Sequence, residues 1–118
     1  MLAISIATCN KSGSDELQVV VENKTDQEVE GVKLYTNIGY KHHQYTDSLV
    51  FGTLRMKSDS SQVWSLTHLP KADGGFVLKY TLKSGPRERE FGYFTNGNLL
   101  DDKYHIILDK DTVLILQE

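Results

Sequence analysis

Apolar residues in this chain recur at every second position from one end to the other, and no segment carries a stripe spaced at every third and fourth position. A period of two fits the pleat of a β-strand, whose successive side chains point to opposite faces. Helix packing therefore has nothing to work with here. Parallel α/β folds, which need crossover helices, are excluded with it.

The runs follow one another with turn formers between them. Leu2, Ile4 and Ile6 alternate with Ala3, Ser5 and Ala7 and read as a first strand. Leu17, Val19 and Val21 follow a Lys11-Ser12-Gly13-Ser14-Asp15 turn cluster, and Asn23-Lys24-Thr25-Asp26 ends that run. Val32, Leu34, Thr36 and Ile38 oppose Lys33, Tyr35 and Asn37. Residues 45–54 form a further run with Gly52 as a bulge, and in 62–66 Trp64 and Leu66 share a side. Trp64 reads as a core anchor between sheets. After Ala72-Asp73-Gly74-Gly75, a turn signal, Phe76, Leu78, Tyr80 and Leu82 face one way. Residues 88–95 return as a hairpin across Ser84-Gly85-Pro86, with Phe91 and Tyr93 aligned. Tyr104, Ile106 and Leu108 are answered by residues 113–116, apolar on both faces and so expected to be central or covered.

The expected fold is all-β: one two-sheet antiparallel β-sandwich, immunoglobulin-like in general architecture, of about nine short strands over residues 1–118. A chain of 118 residues is long enough for one hydrophobic core. The cysteine pair of true immunoglobulin domains is absent, since Cys9 is alone. With no disulfide and no cysteine-based metal site, a reducing cytoplasm is the expected setting. The alternative is a lipoprotein anchored through Cys9, because Ile6-Ala7-Thr8-Cys9 has the look of a lipidation site. The eight residues before Cys9 include no basic one, and the alternation of 2–7 favours a strand over a signal.

Charge narrows the function. The net charge is -3, which argues against a general nucleic-acid binder, since such binding depends on clustered lysine and arginine. Residues 1–30 carry two basic and six acidic side chains, and 98–118 two and five, whereas 31–97 carry nine and five. The termini are acidic and the middle is mildly basic.

Catalytic motifs are missing. No Gly-x-Ser-x-Gly elbow and no phosphate-cradling glycine loop occurs. His42 and His43 are adjacent, so on a strand they point apart and cannot share an ion; only in a loop could they converge, with His68 or His105 as a distant recruit. Asp101-Asp102 and Asp109-Lys110-Asp111 lack the glycine-punctuated calcium loop. No enzyme activity, metal or cofactor is expected. Asn23-Lys24-Thr25 matches the glycosylation triplet without a secretion signal to support it. A binding surface is left. The stretch from Tyr35 to Tyr45 holds three tyrosines and two histidines, residues that give large contact area at low entropic cost.

The run Val19-Val20-Val21-Glu22-Asn23-Lys24-Thr25, with Gly31-Val32-Lys33-Leu34 after a short acidic loop, resembles the opening strands of small bacterial immunoglobulin-like domains. Phe91-Gly92-Tyr93-Phe94-Thr95-Asn96-Gly97 and Tyr104-His105-Ile106-Ile107-Leu108-Asp109 resemble their closing strands. Some proteins of this look are immunity proteins that neutralise polymorphic or contact-dependent toxins. The resemblance implies a non-enzymatic inhibitor that binds a cognate toxin domain and blocks its active site. For a basic nuclease toxin, acidic side chains would speed encounter and aromatic ones would hold the complex. The expected contact residues are Tyr40, His42, His43 and Tyr45 on one connection, with Asp101 and Asp102 on another. No nucleic acid and no membrane is expected as partner, unless Cys9 is lipidated. The alternatives are a lipid-anchored or periplasmic sandwich and a ligand- or carbohydrate-binding module.

Overall fold

The computed structural model describes residues 16–38, 44–66 and 69–117. They fold as a β-sandwich of nine strands: β1 (Glu16–Asn23), β2 (Val29–Ile38), β3 (Tyr45–Leu54), β4 (Asp59–Ser65), β5 (Gly74–Leu82), β6 (Gly85–Thr95), β7 (Asn98–Leu99), β8 (Lys103–Leu108) and β9 (Val113–Gln117). One sheet has the order β4-β1-β8-β9 and the other β3-β2-β5-β6-β7. The expected strand at 2–7 lies outside the described residues, and the ninth strand here is the two-residue β7.

The alternation does the sorting. Leu17, Val19 and Val21 on β1, Val32 and Leu34 on β2, Leu78, Tyr80 and Leu82 on β5, and Ile106 and Leu108 on β8 all turn inward and are buried. Trp64 joins them from β4 as expected, with its ring 5.8 Å from that of Phe76 on the facing sheet. Phe76 also meets Phe91 at 5.6 Å, Phe94 at 5.8 Å and Tyr104 at 5.7 Å, so one aromatic ring ties the two layers together.

Four local expectations change. The β5–β6 hairpin turns at Lys83-Ser84, because Leu82 pairs with Gly85 and Pro86 already lies in the strand. Gly74 and Gly75 belong to β5 rather than to the turn. A Cβ on Gly74 would strike the Asn37 carbonyl and the Phe94 ring, and one on Gly75 would meet the Gly92 carbonyl at 2.9 Å, so close strand approach is what these positions need. Phe91 and Tyr93 do not stay aligned. The ladder shifts between Gly74–Phe94 and Phe76–Phe91, with Gly92 at φ +70°, and this bulge sends Phe94 into the core and Tyr93 toward solvent. Finally, β9 is neither central nor covered among the described residues: it is an edge strand, with Leu114 53% and Leu116 41% exposed. Gly52, at φ +77° beside a register shift, is the bulge its position suggested.

The sheets are also not wholly antiparallel. β1 pairs with β4 antiparallel but with β8 in parallel, Gln18 to Lys103 through Asn23 to Leu108. The chain thus leaves β1, builds the second sheet, and returns beside its own starting strand.

Candidate functional site

On β2, Lys33, Tyr35 and Asn37 face away from the core because Val32, Leu34 and Thr36 face into it. Register then brings distant residues beside them. Lys33 lies directly opposite Lys79 of β5, and Tyr35 lies between Ser48 of β3 and Val77 of β5. At the start of β3, Tyr45 stacks on Tyr35 with ring centroids 4.4 Å apart and planes 19° from parallel. The Lys33 ammonium sits 5.2 Å from the centre of the Tyr35 ring, and that of Lys79 sits 5.5 Å from Tyr35 and 5.1 Å from Tyr45. Both lysines are thus held by ring faces, which attract cations through their quadrupole.

Electrostatically this patch is positive at its centre. Two lysines directly across a ladder repel each other, and Glu88 of β6 reaches Lys79 only at 3.9 Å. The Lys79 pKa is raised, first by its hydrogen bond to the Tyr45 phenol, against the lowering effect of desolvation, and then by its charged neighbours. Next to the patch, Gly31, Lys79, Thr81, Pro86, Arg87 and Glu88 help line an open depression of about 360 Å³. Both acidic and basic side chains line it.

Tyr45 is the expected contact residue that the structure places in this cluster. Tyr40, His42 and His43 lie outside the described residues. Asp101 and Asp102 lie between β7 and β8, where the chain crosses to the four-stranded sheet, and not on the five-stranded sheet that carries Tyr45. They are at the same end of the sandwich as Tyr45, since Asn37 pairs with both Tyr45 and Gly75, and Gly74 with Phe94, which pairs with Leu99. Tyr45 and these two aspartates therefore lie in different layers of that end. Asp101 accepts the Tyr104 hydroxyl at 3.0 Å, and the Asp102 carbonyl accepts the Gln18 amide at 3.0 Å, so both hold the crossing between sheets.

Lys33 and Lys79 were missing from the sequence expectation. The Lys33-x-Tyr35 spacing was visible, but only the register of β5 against β2 brings Lys79 to it.

Other sequence cues resolve into structure. Asn23 is fully buried, and its Nδ2 donates to the carbonyls of Gln27 at 2.9 Å, Leu54 at 3.1 Å and Arg55 at 3.1 Å. Its Oδ1 accepts from the Thr25 amide and hydroxyl. The triplet is a sealed corner of the fold and cannot accept a glycan while folded. Among the described residues no three His, Cys, Asp or Glu side chains gather to hold a metal, and no helix is long and apolar enough to cross a membrane. His105 pairs with Glu22 at 3.2 Å on the outer face of the four-stranded sheet.

No family model matches the chain, and no curated protein matches it. Among solved structures it is similar to an NMR structure of a protein from Eubacterium rectale, at 13% identity and a TM-score of 0.50, over 91% of this chain and 92% of that one. A likeness at that identity concerns the fold alone.

Proposed function

We propose that this chain is a non-catalytic protein-binding domain that docks its partner on the outer face of the five-stranded sheet. The observation that carries the reading is the stacked Tyr35–Tyr45 pair flanked by Lys33 and Lys79. Preordered aromatic rings lose little freedom on binding, and tyrosine is a common anchor at protein interfaces. The two rings lie face to face with each other and under lysines, which leaves a poor flat platform for a sugar and disfavours the carbohydrate reading. In the form that the resemblance suggests, the partner is a toxin domain and docking covers its active site. The lysine pair calls for carboxylates on the contacting surface, whereas of Asp101 and Asp102 the first has its carboxylate engaged with the Tyr104 hydroxyl within the fold. The partner is therefore expected to be acidic where it touches this patch, rather than a basic surface drawn to those two aspartates.

The test is co-expression with the product of the adjacent gene, then binding kinetics across a salt series. Tyr35→Ala or Tyr45→Ala should speed dissociation roughly 30-fold, the equivalent of about 2 kcal/mol for a hot spot. Lys33→Glu with Lys79→Glu should slow association, most at low salt. A partner that binds all these variants like the parent protein would place its contact elsewhere and defeat the proposal.

A further inference from the structure

Among the described residues, four strands form the lateral edges of the two sheets along most of their length, and three of them are blunted. β3 carries Asp47, register shifts at both ends and the Gly52 bulge, and the Gln62 side chain donates to its Val50 carbonyl at 2.7 Å. β4 begins at Asp59 and is half serine and glutamine in its body. β6 runs Arg87-Glu88-Arg89-Glu90 and is capped at one end by β7. β9 reads Val-Leu-Ile-Leu-Gln, with no charge, proline, glycine or bulge. Folded proteins protect strand edges by such devices because an open edge pairs with other chains.

The hydrogen-bond phase of β9 can be read from its hairpin. The Asp109 amide donates to the Thr112 carbonyl at 2.9 Å, so Asp109–Thr112 is a bonded pair. Bonded and non-bonded pairs alternate along an antiparallel ladder. Leu114 and Leu116 therefore turn their amides and carbonyls toward Ile107 and His105 of β8, and Val113, Ile115 and Gln117 turn theirs to the open edge. The weak donation from Arg89 Nη1 to the Val113 carbonyl, at 3.4 Å, agrees with this phase.

We infer that β9 pairs with β9 of a second copy of this chain, antiparallel and centred on Ile115. In that register Ile115 faces its own symmetry mate and Val113 faces Gln117 of the other copy. All three are residues whose polar groups point outward, so the bonded pairs fall in phase. Leu114 then faces Leu116 of the other copy in a non-bonded pair, where side chains approach most closely. Both leucines are exposed in the single chain. The strand is self-complementary in hydrogen bonding, in apolar pattern and in having no charge to repel its mate. A two-fold axis generates this kind of contact. The contact is short: five-residue strands bury well under the roughly 800 Å² per partner of a stable interface, so the dimer forms in a concentration-dependent way.

Sedimentation equilibrium on the full chain tests this. The apparent mass should rise above 13.4 kDa as concentration is raised from micromolar to millimolar. Leu114→Lys with Leu116→Lys should abolish the rise, and Val50→Lys, at an exposed position on the far edge, should not. Hydrogen exchange gives the second readout. The Leu114 and Leu116 amides should be protected at every concentration, and those of Ile115 and Gln117 only as concentration increases. A chain that stays monomeric at millimolar concentration, or associates equally well with both lysines in place, overturns the inference. Ile115 protection already complete in dilute solution overturns it too, because a segment of the same chain would then occupy the edge.

Discussion

Among the described residues with almost no exposed surface, Tyr104 has the largest side chain, and its hydroxyl ends on Asp101. Burial, reinforced by that carboxylate, pushes its pKa well above the ordinary value of 10.0. Tyr80 is shifted the same way by burial. Folding thus favours the protonated phenol. The stabilising effect is complete below pH 10, where unfolded tyrosine is still neutral, and is lost progressively as pH climbs above it. Each such group steepens the loss by about 1.4 kcal/mol per pH unit. Urea unfolding between pH 8 and pH 11 should show a stability that falls above pH 10, with a shallower fall in Tyr104→Phe. Asn23 teaches the complementary lesson: a residue that looks like a modification site in one dimension is a buried polar junction in three.

At the scale of the strand, the period-two pattern was enough to find most of β1 through β6 and the β8–β9 pair. It failed where one residue changed the phase. Gly92 inserts a residue opposite Gly75, so the side chains beyond it swap faces, and no reading by strict alternation foresees that Phe94 rather than Tyr93 enters the core. The bulge is narrowly built. A Cβ at position 92 would lie 2.5 Å from the Tyr104 hydroxyl and 2.8 Å from the Phe76 ring, in a backbone conformation that side chains disfavour. Gly92→Ala should cost roughly 2–4 kcal/mol, combining a left-handed backbone penalty with overpacking. Chemical denaturation would measure it, and a cost under about 1 kcal/mol would mean that the bulge relaxes. The apolar doublets of β9 misled for a different reason. A strand with both faces apolar suits an interior position, but pattern says nothing about which neighbours topology supplies.

For the molecule as a whole, the two layers are joined around Phe76, which meets rings from β4, β6 and β8. Phe76→Ala should remove about 3–5 kcal/mol, a large part of the 5–15 kcal/mol that holds a domain of this size. Trp64, whose ring packs on Phe76, is a built-in fluorescence reporter for that measurement. An unchanged unfolding midpoint would show that the layers hold without this ring. The candidate site was half legible at this scale. Its tyrosines stood out as a dense aromatic stretch, but its lysines come from strands far apart in sequence, and strand order carries Asp101 and Asp102 to the crossing between the sheets. That order also governs how the molecule can come into being. β2 pairs with β3, and β5 with β6, as soon as each hairpin exists, whereas β1 lies between β4 and β8 and waits for a neighbour made only after every strand of the other sheet. During synthesis the five-stranded sheet can assemble early while β1 stays half-satisfied, its apolar face open along the β8 side. Such long-range closure slows folding, and it makes the newly made chain most vulnerable to aggregation in the interval before Lys103–Leu108 leaves the ribosome.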